Sequence, residues 1–232
     1  MRILLLVFIV GILFGCQSKS KSGSTDRVEH PITQPAVPAN PYIIKCDYFV
    51  NLFDSTQVLE EKTVVSLNFE EDELKFSAWI EEDNILYKFT QRDTCIWRDP
   101  CIEFFLDPLA DGIDYYEMEF NAGGHLWDLK LKTSQPPINS PSNMVPWDIA
   151  DTYNVKIDGT ANDSRDQDNN WILSGRIRWE QILEGRPKKG DKWAYNFLRV
   201  NYDKAGRATY WVAQSTGEAN IHFPANWPVH TF

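Results

Sequence analysis

The chain has 232 residues, a formal charge of −10, and nine Trp, nine Tyr and thirteen Phe. That length suits one ordinary domain or one large β-domain, and so many aromatics fit a β-rich core. The acidity argues against a nucleic-acid partner, because no basic stripe is present to neutralise phosphates. The one local basic run, "GRPKKGDK", reads as a solvated loop.

In chain order, "MRILLLVFIVGILFGC" comes first, with one basic residue, a short apolar run and small residues before Cys16. The run is too short for a comfortable membrane span and reads as an export signal over residues 1–15. "LFGC" also resembles a bacterial lipoprotein signal. That resemblance implies lipidation of Cys16 and anchoring in the bacterial cell envelope, and Gln17 after the cysteine implies the outer membrane. Residues 16–41 are rich in Ser, Lys and Pro and show no apolar period, so they read as a flexible tether. The folded domain is expected over 42–232. With Cys16 acylated, Cys46, Cys95 and Cys101 remain, which allows one intrachain disulfide of open pairing.

Strands then follow one another closely. "TVVSLNFEEDELKFSAWIEED" reads as strand, acidic turn, strand, with Val65, Leu67 and Phe69 alternating, then Leu74, Phe76 and Ala78. "YNVKIDGT…NNWILSGRIRW" predicts a second pair, and "DKWAYNFLRVNYD" and "ATYWVAQ" predict two more. Only "RWEQILEGR" suggests a short helical turn. The fold class this predicts is all-β, an antiparallel β-sandwich.

The stretch from Cys101 to Leu131 can be registered from its pattern. Pairing "CIEFFLD" with "YYEMEFN" sets Ile102 opposite Phe120, Phe104 opposite Met118 and Leu106 opposite Tyr116, an apolar face throughout. Gly123-Gly124 then predicts a two-residue hairpin loop, which would set Phe120 opposite Trp127 and place Trp127 in the core. The opposite face would carry Glu103, Glu119 and Asp128 in one row, with Asn121 beside it and Phe105 and Glu117 one step along. Leu198 and Val200 suit a core face. That would turn Arg199 toward the acids as their neutralising partner.

"IWRDPCIEFFLDP", "DYYEMEFNAGGHLWDLKL", "NNWILSGRIRWEQI", "WAYNFLRVNY" and "YWVAQSTGEANIHFPANW" together resemble the family 9 carbohydrate-binding modules, from about Tyr42 to Phe232. The resemblance implies a sandwich of immunoglobulin-, jelly-roll- or DOMON-like type that binds an oligosaccharide or polysaccharide on a concave face, without catalysis, in the service of polysaccharide catabolism. It puts Trp97 at the sugar-stacking position, and Glu103, Glu119, Asn121 and Arg199 at polar positions. The family's best-known members carry a basic residue near the position of Glu119 and a second stacking Trp near the C-terminus. Here Arg199 would supply the charge, and "NIHFPANW" offers Ile221 or His222 and only later Trp227. His222 is therefore also a candidate ligand contact.

Other chemistries fit less well. Glu103 and Glu119 could serve a glycosidase as paired carboxylates, but neighbouring strand positions suit an ion-pair network better than the two sides of a scissile bond. A structural envelope lipoprotein would keep the sandwich and lack the site. Haem ligation by Met118 with His125, His222 or His230 is not expected. Asp107, Asp111 and Asp114 make "DPLADGID" rich in oxygen donors, which suits Ca²⁺; so does "NDSRDQDNN", with Asp163, Asp166 and Asp168. Ordinary turn formation explains both loops more simply.

Overall fold

The structure is a computed structural model and describes residues 40–132, 143–149 and 152–232. The signal, Cys16 and the tether up to residue 39 lie outside the described residues.

Among the described residues, thirteen strands form two antiparallel sheets. In order they are β1 (Ile43–Cys46), β2 (Val50–Asn51), β3 (Thr63–Phe69), β4 (Glu73–Glu81), β5 (Cys101–Asp107), β6 (Asp114–Asn121) and β7 (Leu126–Lys132), then β8 (Met144–Pro146), β9 (Tyr153–Asp158), β10 (Asn170–Arg178), β11 (Lys192–Tyr202), β12 (Ala208–Val212) and β13 (Val229–Thr231). The first sheet runs β1-β3-β4-β10-β9. The second runs β2-β12-β11-β5-β6-β7-β8, with β13 on the free edge of β11. The expected helical turn is a single 3-10 turn, Trp179–Gln181.

Alternation in β3 and β4 puts Val65, Leu67, Phe69, Leu74, Phe76, Ala78 and Ile80 inward. They meet Ile102, Phe104, Met118, Phe120 and Phe197 of the second sheet in one apolar layer. Phe76 contacts Phe104 and Phe120 with ring centroids 5.4 and 5.5 Å apart. The second sheet departs from simple alternation, since every residue of β5 is buried. Its outer face holds a second apolar cluster that includes Phe105, Tyr115, Leu198, Val200, Ile221 and Trp227. The C-terminal segment seals this cluster: Trp227 packs edge-on against Tyr115 at 4.8 Å and donates its indole N–H to the Ile221 carbonyl.

The β5–β6 register is the expected one, residue for residue. The β6–β7 register is shifted by one. Phe120 pairs with Leu126, Glu119 with Trp127 and Met118 with Asp128. The cause lies in the turn. Gly124 N–H bonds the Asn121 carbonyl, Asn121 N–H bonds the His125 carbonyl, and Gly124 has φ +73°. This is a three-residue loop with its left-handed residue last, not a two-residue glycine loop. The Asn121 side chain fixes it by accepting N–H bonds from Gly123 and His125. A one-residue slip turns the whole strand over, so Trp127 leaves the expected core face and Asp128 enters it.

β11 is likewise inverted from expectation. Leu198 pairs with Glu103 and Arg199 with Ile102, so Leu198 faces outward and Arg199 inward. Both faces of this strand are buried and apolar-rich, which leaves alternation without a clear reading.

Candidate functional site

On the outer face of the second sheet a cavity of about 430 Å³ opens between the strands and the C-terminal segment. Its floor comes from β5 and β6, which supply Glu103, Glu117 and Glu119. Leu198 on β11 and Leu129 and Leu131 on β7 make apolar walls. Trp97, Trp127 and Tyr210 add aromatic ones, and Ile221 and His222 close the C-terminal side.

Trp97 projects from the 3-10 turn Ile96–Arg98, just before β5. Its ring lies 4.4 Å from that of Trp127, at 35°. The pair exists because the shifted register puts Trp127 on this face. Sequence reasoning found Trp97 and missed Trp127, since a two-residue glycine loop was the stronger turn signal.

The three glutamates present carboxylate oxygens within 4.8 Å of one another, and all three residues are buried. Glu103 and Glu119 face each other directly across strands. Burial pushes the carboxyl of Glu103 well above its ordinary range, and the charge of Glu117 adds to it. Burial raises Glu119 in the same way, reinforced by Glu103 and Glu117 and opposed by the backbone N–H of Trp97. Glu117 is also raised by burial, against the pull of His222, whose Nδ1 lies 3.9 Å from it. Glu119 is only 2% exposed, yet its Oε2 has no hydrogen-bond partner. Glu103 accepts from the Cys101 thiol at 3.6 Å. Glu117 was legible as a residue of this face, but only the structure brings its carboxyl to the other two.

The remaining candidates divide. His222 lines the cavity, with Nδ1 2.6 Å from the Tyr115 hydroxyl. Asn121 does not line it. Its amide donates to the Phe89 carbonyl and to Asp99, while its oxygen holds the β6–β7 turn. Arg199 is on the other face of the sheet and cannot neutralise the glutamates. It is 1% exposed and donates to Thr63 Oγ1 at 2.7 Å, the Glu81 carbonyl at 2.8 Å and Glu82 at 3.0 Å. Asp128 has likewise left the expected row. It is held by Arg92 at 2.6 Å and by the Ile149 N–H, and burial lifts its carboxyl to about 6.

The loop nominated for Ca²⁺ does not converge. Asp107 accepts the N–H groups of Leu109 and Gly112, Asp111 accepts that of Ile113, and Asp114 lies 3.8 Å from Lys130. Each carboxylate serves its own turn or strand, the usual role of Asp there. In the second loop Asp163 pairs with Arg165, while Asp168 accepts the Ile85 and Thr160 N–H groups. Cys46, Cys95 and Cys101 are all free thiols, so none of the considered disulfides forms.

Several comparisons bear on this arrangement. No curated protein sequence matches the chain. Among solved structures, a Bacteroides uniformis protein provisionally described as carbohydrate-binding shares 18% identity, with 82% of this chain and 85% of that chain covered and a TM-score of 0.57. Two structures of a family 9 carbohydrate-binding module from Caldicellulosiruptor kristjanssonii, one with cellotriose and one with glucose, share 14% and 15% identity. Each covers 80% of this chain, with 82% and 83% of the module covered and TM-scores of 0.49 and 0.48. The model of carbohydrate-binding family 9 matches residues 63–209, from the start of β3 into β12. That span contributes strands to both sheets and all three glutamates, and the chain belongs to carbohydrate-binding family 9.

Proposed function

We propose that the protein binds a saccharide in the cavity of the second sheet, without catalysis. The observation that carries this reading is the Trp97–Trp127 pair beside three buried carboxyls in one cavity. A pyranose offers a face of C–H groups to an indole, and its hydroxyls need fixed polar partners. Glu103, Glu117, Glu119 and His222 are those partners here. Trp127 supplies the second aromatic wall that the C-terminal stretch does not. Hydrolysis is disfavoured because Glu103 and Glu119 sit directly opposite each other on neighbouring strands instead of flanking a bond from two sides.

Calorimetry with cello-, xylo- and manno-oligosaccharides tests the reading. A dissociation constant on the order of 10 μM to 1 mM is expected for so small a site. No binding across a broad glycan panel would favour a structural envelope protein.

The same proposal extends to location. "LFGC" and the polar stretch after it support a lipid anchor on Cys16 that tethers the domain to the bacterial envelope, at the outer membrane, where it would serve polysaccharide catabolism. Cys16→Ser should abolish incorporation of labelled fatty acid. Incorporation that persists in the variant would place the anchor elsewhere.

A further inference from the structure

Among the described residues, the buried acids outside the cavity are each neutralised or held. Glu82 has Arg199, Asp128 has Arg92, and Asp99 accepts the N–H groups of Lys88 and Phe89. The glutamates of the cavity break that pattern. Among the described residues, no lysine or arginine lines the cavity. Among the described residues, the only base paired with any of the three is His222, at 3.9 Å from Glu117. Independently of the clustering, Glu119 Oε2 is a buried acceptor without a donor, on a residue that lines the cavity. A missing positive donor is therefore the feature to be explained.

We propose that the preferred ligand is a saccharide bearing a protonated amine, its ammonium seated among Glu103, Glu117 and Glu119. The inference rests on the saccharide reading above and names the substrate class of that same site. An ammonium brings three donors and one positive charge to a place with several acceptors and, among the described residues, no lysine or arginine. A neutral hydroxyl brings one donor and no positive charge. The aromatic walls favour the same choice, because Trp and Tyr faces attract cations, and Trp97, Trp127 and Tyr210 all line this cavity. A bare divalent metal suits it less. Ca²⁺ takes about six to eight oxygens, and beyond the three glutamates most of the lining is apolar or aromatic, with Asn220, His222 and Tyr210 as the polar exceptions.

The test compares oligomers of glucosamine, N-acetylglucosamine and glucose with the same linkage and length, which differ only at C2. Calorimetry on the protein at neutral pH should show the glucosamine oligomer binding at least about tenfold tighter than the other two, the scale of one charge-assisted hydrogen bond. That margin should shrink to within about twofold in Glu119→Gln, and it should narrow with added salt, as a charge contact requires. Thermal melting confirms that the variant is folded, and the wild-type comparison stands even if it is not. Equal or weaker binding of the glucosamine oligomer would overturn the inference while leaving saccharide binding intact. Failure of all three, with no other glycan bound, would remove both readings. A rise in melting temperature with calcium chloride alone, lost in Glu119→Gln and without any glucosamine preference, would overturn it in favour of a metal site.

Discussion

The second sheet buries charge on both faces, and the two sites differ in completeness. On the inner face, Arg199 gives hydrogen bonds to Thr63, the Glu81 carbonyl and Glu82, tying β11 to the first sheet. On the outer face, Glu103, Glu117 and Glu119 crowd together and, among the described residues, no lysine or arginine joins them and one oxygen lacks a donor. Nothing a ligand could add would improve the Arg199 site. A buried charge cluster thus reads as structural when its partners are present and as a binding site when they are missing.

The sharpest way to break this contrast is Arg199→Met. It should destabilise the domain by about 3–5 kcal/mol in urea or thermal unfolding, because Glu82 is left buried and unpaired. Glu82→Gln added to Arg199→Met should recover part of the loss. A change within about 0.5 kcal/mol, the scale of a surface substitution, would mean that this pair is solvated and that the contrast fails.

Next in size is Trp127→Ala. Saccharide affinity should fall by about 1–3 kcal/mol as the aromatic wall is removed, while the unfolding transition stays cooperative. The half-buried Trp127 stands outside the inter-sheet core. Trp97→Ala should act similarly, since each ring supports the other. Unchanged affinity in both folded variants would move the site elsewhere.

A third measurement reads the glutamates themselves. In the unfolded chain a glutamic acid ionises at about 4.3. In the fold all three are raised by burial. Their contribution to stability is therefore fully present below the unfolded value and is lost as pH rises through the folded ones. Glu119→Gln removes one ionisation and relieves the others. It should stabilise the domain by about 1–2 kcal/mol at neutral pH, the scale of one unsatisfied buried polar group, with less effect at pH 4. An equal effect at both pH values would mean that the carboxyls are ordinary.

How much of this was legible depends on how many faces of a strand were buried. β3, β4, β9 and β10 pack one face on the core, and their alternation announced them. The β5–β6 register followed from three apolar pairs. β11 is buried on both faces, so Leu198 and Val200 looked like core while Phe197 and Arg199 took that place. What hid the second cluster was the C-terminal segment over the outer face, a long-range contact that no local pattern carries. Trp97 was legible as a lone tryptophan beside a strand. Trp127 and Glu117 depended on the turn and on the far end of the chain.

The smallest expected effect concerns that turn, which decides which face Trp127 takes. Gly124 alone of the two loop glycines has a positive φ. A Cβ there would meet only Val155, at an ordinary 3.7 Å. Gly124→Ala should therefore cost about 1 kcal/mol, from backbone strain alone. Gly124→Asn should cost less, because asparagine tolerates the left-handed region. Gly123 is held to glycine for another reason: a Cβ would lie 2.6 Å from the Tyr87 ring. Gly123→Ala should thus be the worse variant, and Tyr87→Ala should rescue it in part by opening that space. A two-residue loop would put positive φ at both glycines, so Asn would then be tolerated equally at either position. Equal tolerance in thermal unfolding would restore the unshifted register and return Trp127 to the core. A clear preference for Asn at position 124 keeps it in the cavity, beside Trp97 and opposite Glu119.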